Sequence, residues 1–123
     1  MFKRKILSKL EAWKRDERHK PLILRGARQV GKTTVVNEFG SQFDNYLYFN
    51  LEMNESVRLF EMDIPLNDLV NMLFASLGKS QREGSTLIFI DEIQNSPKTI
   101  ALLRYFYEQR PDLYVIAAGS LLE

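Results

Sequence analysis

The chain has 123 residues, of which 45% are hydrophobic and 27% are charged, so it is long enough for one soluble domain with a packed core. It has no cysteine, which excludes a disulfide and a thiolate metal site. Its apolar runs are too short to span a bilayer and its N-terminus lacks the features of a secretory signal, so a cytoplasmic protein is expected.

The net charge is +1, but the charges are unevenly distributed. Residues 1–33 hold eleven Lys and Arg against three Asp and Glu, a balance of +8, whereas residues 34–123 have a balance of −7. A basic N-terminal segment can attract phosphate in a nucleotide, a nucleic acid or a lipid headgroup. A solvated helix face is the alternative explanation, and the sequence alone favours it.

The first predicted element is an amphipathic helix over residues 3–16. Its apolar positions recur at the three- and four-residue spacing of a helix with one buried face: Phe2, Ile6, Leu10 and Trp13. Trp13 is interpreted as an anchor of this helix. The polar connector that follows contains His19, the only histidine, to which we assign no chemistry. We therefore predict an N-terminal helix with its connector over 1–20 and a core over 21–123.

Strands and helices alternate through the core. Strands are predicted over 22–25, 46–52, 86–90 and 113–118; the second is rich in aromatic residues, and the third is expected to be buried on both faces. Helices are predicted over about 32–39, closed by Gly40, and over 66–77 and 97–109. A short helix is one interpretation of residues 56–62. Ser96 is a suitable cap for the last helix, which Pro97 begins. This alternation predicts an α/β fold with a mainly parallel sheet.

Three segments with polar or glycine residues each follow the end of a predicted strand. They are residues 26–33, 91–92 and 119–120. In parallel α/β sheets, ligands bind outside the carboxyl ends of the strands. We therefore expect the three segments to converge at one edge of the sheet.

Residues 26–33 match the pattern G-x-x-x-x-G-K-[ST], between an apolar strand and a helix. Glycines let successive N–H groups turn inward around a phosphate, and the helix adds its unpaired N-terminal N–H groups. Lys32 brings a mobile charge for the β and γ phosphates, and the Thr33 hydroxyl is an oxygen ligand suited to Mg²⁺. The alternative, a chance match, is disfavoured by the strand and helix context. The predicted ATP ligands are Gly26, Ala27, Arg28, Gln29, Val30, Gly31, Lys32, Thr33 and Thr34.

Two adjacent acids, Asp91 and Glu92, follow the buried strand of residues 86–90. Asp91 can hold the hydration shell of Mg²⁺, and Glu92 can orient or deprotonate an attacking water. A helix cap beside a solvated acid is the alternative, which the upstream phosphate loop disfavours. The elements of residues 46–77 are also expected to place an extra strand between the loop strand and the acidic strand.

Ser120 and two arginines are weaker candidates. Ser120 follows a predicted strand and could bond the γ-phosphate or the attacking water, or it could be a turn serine. Arg25 and Arg28 could contact phosphate or a neighbouring protein, or could be solvated. The catalytic candidates are therefore Glu92, Lys32 and Ser120, and the metal candidates are Thr33 and Asp91.

With these motifs in place, the sequence resembles bacterial and archaeal ATPases of the AAA superfamily. The resemblance is carried by "LRGARQVGKTT", "YFNLE", "LIFIDEIQ", "LRYFYE" and "VIAAGSLL", in this order. It implies that Lys32 and Thr33 are Walker A residues, that Asp91 and Glu92 are Walker B residues and that Ser120 is a sensor-like residue. It also implies a preference for adenine.

The resemblance further implies a three-layer P-loop fold with strand order 5-1-4-3-2. Family members continue into a fifth strand, a helical lid and usually a C-terminal domain, so we expect this chain to be the N-terminal part of such an ATPase, truncated before the fifth strand and lid. The strand over 22–25 would then be an edge, which favours pairing with another chain.

The leading hypothesis is an ATP-binding, Mg²⁺-dependent ATPase module that couples nucleotide state to a partner protein or a C-terminal domain. A nucleotide-binding remnant or switch without significant hydrolysis is the alternative. A kinase-type transferase is less favoured, because adjacent acids suit water better than an organic acceptor. A nucleic-acid-associated module would use the basic N-terminal helix and would show a steep salt dependence of binding.

Overall fold

The computed structural model describes residues 2–25 and 31–119. Its elements, numbered in chain order, are α1 (Phe2–Arg15), β1 (Leu22–Arg25), α2 (Lys32–Gly40), β2 (Asn45–Asn50), α3 (Asn54–Phe60), α4 (Leu66–Ser76), β3 (Thr86–Asp91), a 3-10 helix (Ile93–Asn95), α5 (Pro97–Gln109) and β4 (Tyr114–Gly119). No helix among these residues is both long and apolar enough to cross a membrane.

The four strands form one parallel sheet in the order β1-β4-β3-β2. This order agrees with the one that the family resemblance implies for strands 1 to 4. It corrects the expectation that the strand of residues 46–52 separates the loop strand from the acidic strand. The separating strand is β4, and β2 lies at the far edge of the sheet beyond β3.

Helices cover both faces of the sheet and make three layers. On one face, α3, α4 and α5 pack against alternate strand residues such as Leu47, Ile88 and Val115. On the other face, α1 and α2 pack against the intervening residues such as Phe89 and Ile116. Because successive side chains of a strand point to opposite faces, a central strand between two helical layers must be apolar throughout. β3 is accordingly buried along its whole length, as predicted.

Gly40 serves a different purpose from the predicted helix closure. It is the last residue of α2 and is not among the described residues with positive φ. A Cβ at this position would lie 2.6 Å from the Tyr46 ring. Glycine is therefore required for the close approach of Tyr46. At the end of α4, by contrast, Gly78 has a left-handed φ of 64° and lies just beyond the last helical residue, Ser76.

The first helix is fixed to the sheet by an aromatic cluster. Trp13 lies edge-on to Tyr114 and His19, and its indole N–H donates to the carbonyl of Lys20. His19 is buried, stacks on Tyr114 at 3.9 Å between ring centroids and lies 3.0 Å from the carbonyl of Leu113 through Nε2. The polar connector thus packs against β4, and the interpretation of Trp13 as an anchor is confirmed.

Candidate functional site

The carboxyl ends of the strands lie side by side at one edge of the sheet. Arg25 at the end of β1 pairs with Gly119 at the end of β4, and Asn50 at the end of β2 pairs with Asp91 at the end of β3. Ile90 of β3 pairs with Ala117 of β4, which joins the two halves. Candidate residues that are far apart in the sequence therefore meet at this edge, as expected for parallel strands.

Helix α2, which follows the predicted phosphate loop, begins at this edge. Gly31 precedes α2 with a φ of 92°, a left-handed conformation that strains any residue with a Cβ. Within the described residues no side-chain cap is found for this helix end, and the N–H groups of a first helical turn have no partner inside the helix itself. Lys32 and Thr33 in this turn are half-buried, and Thr34 is exposed. This end of α2 has the form of an anion-binding helix terminus.

Asp91 is the centre of a buried polar cluster. The residue is 6% exposed, and its Oδ2 accepts hydrogen bonds of 3.0 Å from the hydroxyls of Thr33 and Tyr48. Its Oδ1 accepts the backbone N–H of Glu92 at 3.0 Å. Thr33 is 58 residues away in the sequence, so the fold brings the predicted metal residues together. The alternative of a helix cap beside a solvated acid does not account for Asp91, because its carboxylate is buried and bonded to Thr33 of α2.

Tyr48 holds the Asp91 carboxylate from the β2 side. Burial, with the nearby charge and hydrogen bond of Asp91, raises the pKa of Tyr48 above its usual value. Its hydroxyl therefore stays protonated and donates at all ordinary pH values. In the sequence, Tyr48 stands out only as one of the aromatic residues of a predicted strand. Its position two residues before the end of β2, the strand beside the one that carries Asp91, is the sequence feature that could have indicated a role at the site.

Glu92 adopts a strained backbone conformation. Its φ and ψ of 55° and 45° make it the only described non-glycine residue with a positive φ. Such conformations cost free energy and cluster at functional sites. The Gln94 side-chain amide donates to the Glu92 carboxylate at 2.8 Å, while the buried Oε1 of Gln94 has no hydrogen-bond partner among residues 2–25 and 31–119. Gln94, which the sequence analysis did not single out, thus orients the predicted base.

Several predicted residues lie outside the described ranges. They are Gly26, Ala27, Arg28, Gln29, Val30 and Ser120. Their roles stay predictions. Arg25 is described and lies exposed at the end of β1.

The oxygen atoms of Thr33 and Asp91 fit the ligand chemistry of Mg²⁺, which prefers oxygen donors and keeps several waters when a nucleotide supplies further ligands. Within residues 2–25 and 31–119, no group of three or more His, Asp or Glu side chains could hold a metal by itself.

Comparison with known proteins identifies relatives of this fold. A family model described as an AAA domain matches residues 18–123. No curated protein matches the sequence. Among solved structures, the ORC1 protein of Aeropyrum pernix, determined in complex with DNA, is similar with a TM-score of 0.60 and 17% identity, over 98% of this chain and 38% of that chain. PCH-2 of C. elegans is similar with a TM-score of 0.59 and 14% identity, over the same shares. The chain thus spans well under half the length of these two proteins.

Proposed function

Because this chain belongs to the family of AAA domains, we propose that it is a nucleotide-binding ATPase module that takes ATP together with Mg²⁺. The observation that carries the proposal is the 3.0 Å hydrogen bond between Thr33 at the start of α2 and Asp91 at the end of β3. It joins a hydroxyl and a carboxylate beside the N-terminus of α2, whose first residue is Lys32 and for which the described residues provide no side-chain cap. This combination recognises a polyphosphate with its divalent cation.

Each residue has a distinct role in the proposed site. The N–H groups of the first turn of α2 and the Lys32 ammonium hold the phosphates. Thr33 and Asp91 provide oxygen atoms for Mg²⁺, which neutralises phosphate charge when it is bound. Glu92 accepts a proton from the attacking water, and Gln94 keeps its carboxylate in place. Ser120 would contact the γ-phosphate or that water.

A nucleotide-binding switch without significant turnover is the second candidate. It uses the same Lys32, Thr33 and Asp91 but does not need Glu92 to act as a base. The strained backbone of Glu92 favours the ATPase. Such strain costs free energy and is found mostly at functional sites, so it suggests that the Glu92 carboxylate takes part in the reaction. Release of phosphate by the chain distinguishes the two candidates.

The wider role is also a proposal, because the two solved structures are much longer than this chain. We propose that nucleotide state is coupled to a partner protein, a further domain or another copy of the chain, and that the protein acts in the cytoplasm. Association with nucleic acid, the third candidate, depends on the basic helix α1 and not on this site.

Isothermal titration of the chain with ATP and Mg²⁺ tests the proposed binding. We expect Lys32→Ala to weaken ATP binding about 100-fold, since a charged hydrogen bond contributes up to about 3 kcal/mol. Lys98→Ala, which removes an exposed lysine of α5, is the matched control and should leave the affinity unchanged. Equal affinity of the wild type and Lys32→Ala would contradict the assignment.

A further inference from the structure

Helix α1 carries a row of exposed cations, which we call the α1 cation face: Arg4, Lys5, Lys9 and Arg15. At 100° per residue these four side chains lie within an arc of about 140°, and Ser8 and Ala12 lie between them. Both of these intervening residues are small, and they too are exposed. The face is therefore cationic and has no bulky side chain in its middle.

The α1 cation face has no partners within the described parts of the chain. None of its four side chains takes part in a described hydrogen bond or ion pair. The neighbouring cations of the helix differ. Lys3 pairs with Glu38 at 3.1 Å, and Lys14 donates to the carbonyl of Gln42 at 2.8 Å. Glu11, the only acid of α1, accepts from the Gln42 side chain.

The position of these cations in the helix is unfavourable for the helix itself. The first turn of α1 contains no acid, although Lys3, Arg4 and Lys5 all lie near the N-terminus. The helix dipole places partial positive charge at this end, so cations there reduce helix stability and acids would increase it. Helix stability therefore does not explain the pattern, whereas an external anion would offset this repulsion.

The opposite face of α1 is already occupied. Leu10 is fully buried, and the helix packs against Val35, Val36 and Phe39 of α2. An amphipathic helix that binds a bilayer inserts its apolar face, and here that face belongs to the core. The free face offers only charge and small polar groups, which suits a hydrated polyanion.

We propose that the α1 cation face binds the phosphate backbone of nucleic acid without reading its sequence. The row from Arg4 to Arg15 is about 16 Å long, at a rise of 1.5 Å per residue. Duplex DNA carries one negative charge per about 1.7 Å of its axis, so several phosphates lie within that length. Arginine adds paired donors that match phosphate oxygens. Four contacts of this kind give weak, salt-sensitive binding.

The test is fluorescence anisotropy of a labelled duplex of about 20 base pairs with the full 123-residue chain, without nucleotide, at several salt concentrations. The variant replaces Arg4, Lys5, Lys9 and Arg15 with Gln, which removes four charges and favours helix. The matched control replaces Arg58, Arg82, Lys98 and Arg104 with Gln. These four cations are also exposed, so the control has the same net charge as the variant.

For the wild type we expect a slope of log affinity against log salt of about −4, and a loss of about 100-fold in affinity between 50 and 200 mM salt. The α1 variant should lose at least 30-fold in affinity at 50 mM salt, whereas the control should stay within about threefold. If both variants lost the same amount of DNA affinity, the loss would come from the lower net charge and not from the α1 cation face, and the proposal would be overturned. Binding to vesicles with anionic lipid but not to the duplex would overturn it in favour of a membrane surface.

Folding and nucleotide binding serve as separate readouts. Circular dichroism should show unchanged helix content in the α1 variant, and a variant with Arg4→Lys and Arg15→Lys should keep its DNA affinity within about threefold. Lys32→Ala should bind the duplex like the wild type, because that residue lies in the nucleotide site. If the wild-type chain binds the duplex as expected but does not bind ATP, the proposed nucleotide site is refuted and the proposed DNA-binding face is not.

Discussion

Two polar clusters lie at opposite ends of the β2–β3 pair, and they are built differently. At the amino end, the Asn45 side chain donates to the carbonyl of Arg82 and to the hydroxyl of Thr86, and it accepts the N–H of Arg82. At the carboxyl end, Asp91 is held mainly by side chains, and its neighbour Glu92 has strained backbone angles. The groups of the first cluster bond one another, whereas beside the second the buried Oε1 of Gln94 has no hydrogen-bond partner within the described residues.

The difference shows how to separate structural from functional buried polar groups. Asn45 closes the segment before β3 onto the edge strand β2, and its bonds are largely to backbone atoms that need partners on folding. The Asp91 cluster depends on hydroxyls that can exchange partners, and near it the buried Oε1 of Gln94, which bonds Glu92 through its amide, has no partner within the described residues. We therefore expect substitutions at the two ends to affect different measurements.

The largest effect is expected at Glu92. Glu92→Gln keeps the shape of the side chain but removes the proposed base, so phosphate release should fall at least 100-fold. ATP affinity and the free energy of unfolding should change little. The exposed Glu55→Gln on α3 is the control and should retain turnover. Unchanged phosphate release in Glu92→Gln would assign the base to another residue.

The amino-end cluster should respond in stability alone. Asn45→Ala removes three hydrogen bonds and leaves the Arg82 N–H without its partner, which should lower the free energy of unfolding by about 2–3 kcal/mol. Urea denaturation measures this change. The exposed Asn71→Ala on α4 should stay within about 0.5 kcal/mol of the wild type. A loss of ATP affinity in Asn45→Ala, without a loss of stability, would break the distinction between the ends.

Asp91→Asn should change the metal dependence of binding. The amide cannot supply the charge that Mg²⁺ prefers, so the gain in ATP affinity on adding Mg²⁺ should shrink about tenfold. Titration calorimetry with and without Mg²⁺ gives this gain. Asp44→Asn is the matched control at the amino end, where Asp44 accepts from Ser85. An equal effect of the two substitutions would contradict a metal role for Asp91.

The smallest effect is expected at Tyr48, because its hydroxyl would act on the proposed metal site only through its hydrogen bond to Asp91. Tyr48→Phe should reduce the Mg²⁺-dependent gain in ATP affinity by less than tenfold. Tyr46→Phe removes the neighbouring hydroxyl, which bonds Asn37 and not Asp91, and should leave that gain unchanged. Identical behaviour of the two variants would argue against a specific role for Tyr48.

Alkaline pH gives a second readout for Tyr48. Its pKa is raised in the folded chain above the usual value near 10, mainly by burial. Folding therefore favours the neutral hydroxyl, so this stabilisation is present below pH 10 and is lost as pH rises further. Tyr48→Phe should lose less stability above pH 10 than the wild type does, as measured by urea denaturation at stepped pH.

The sequence predicted the fold well, because its strands and helices have strong apolar patterns. β1 and α5 have their predicted bounds, and β3 extends one residue beyond the expected strand to include Asp91. Spacing and position also predicted that Thr33 and Asp91 would meet. Motif reasoning could not find Tyr48 or Gln94, because their roles arise from tertiary hydrogen bonds.

Two other expectations were wrong or incomplete for physical reasons. The position of β2 was misread because the order of strands along the chain differs from their order in the sheet. Helix α2 does end at Gly40, but this glycine lacks the positive φ typical of a closing glycine, and it is required instead because the Tyr46 ring lies against its backbone.

We propose that ATP and Mg²⁺ bind at the carboxyl end of the sheet. The most direct test is backbone hydrogen exchange measured with and without these ligands. We predict slower exchange at residues 31–35 and 91–94, unchanged exchange at Asn45 and residues 82–86, and loss of the difference in Lys32→Ala. Slower exchange at the amino-end cluster, or the same pattern in Lys32→Ala, would contradict the account.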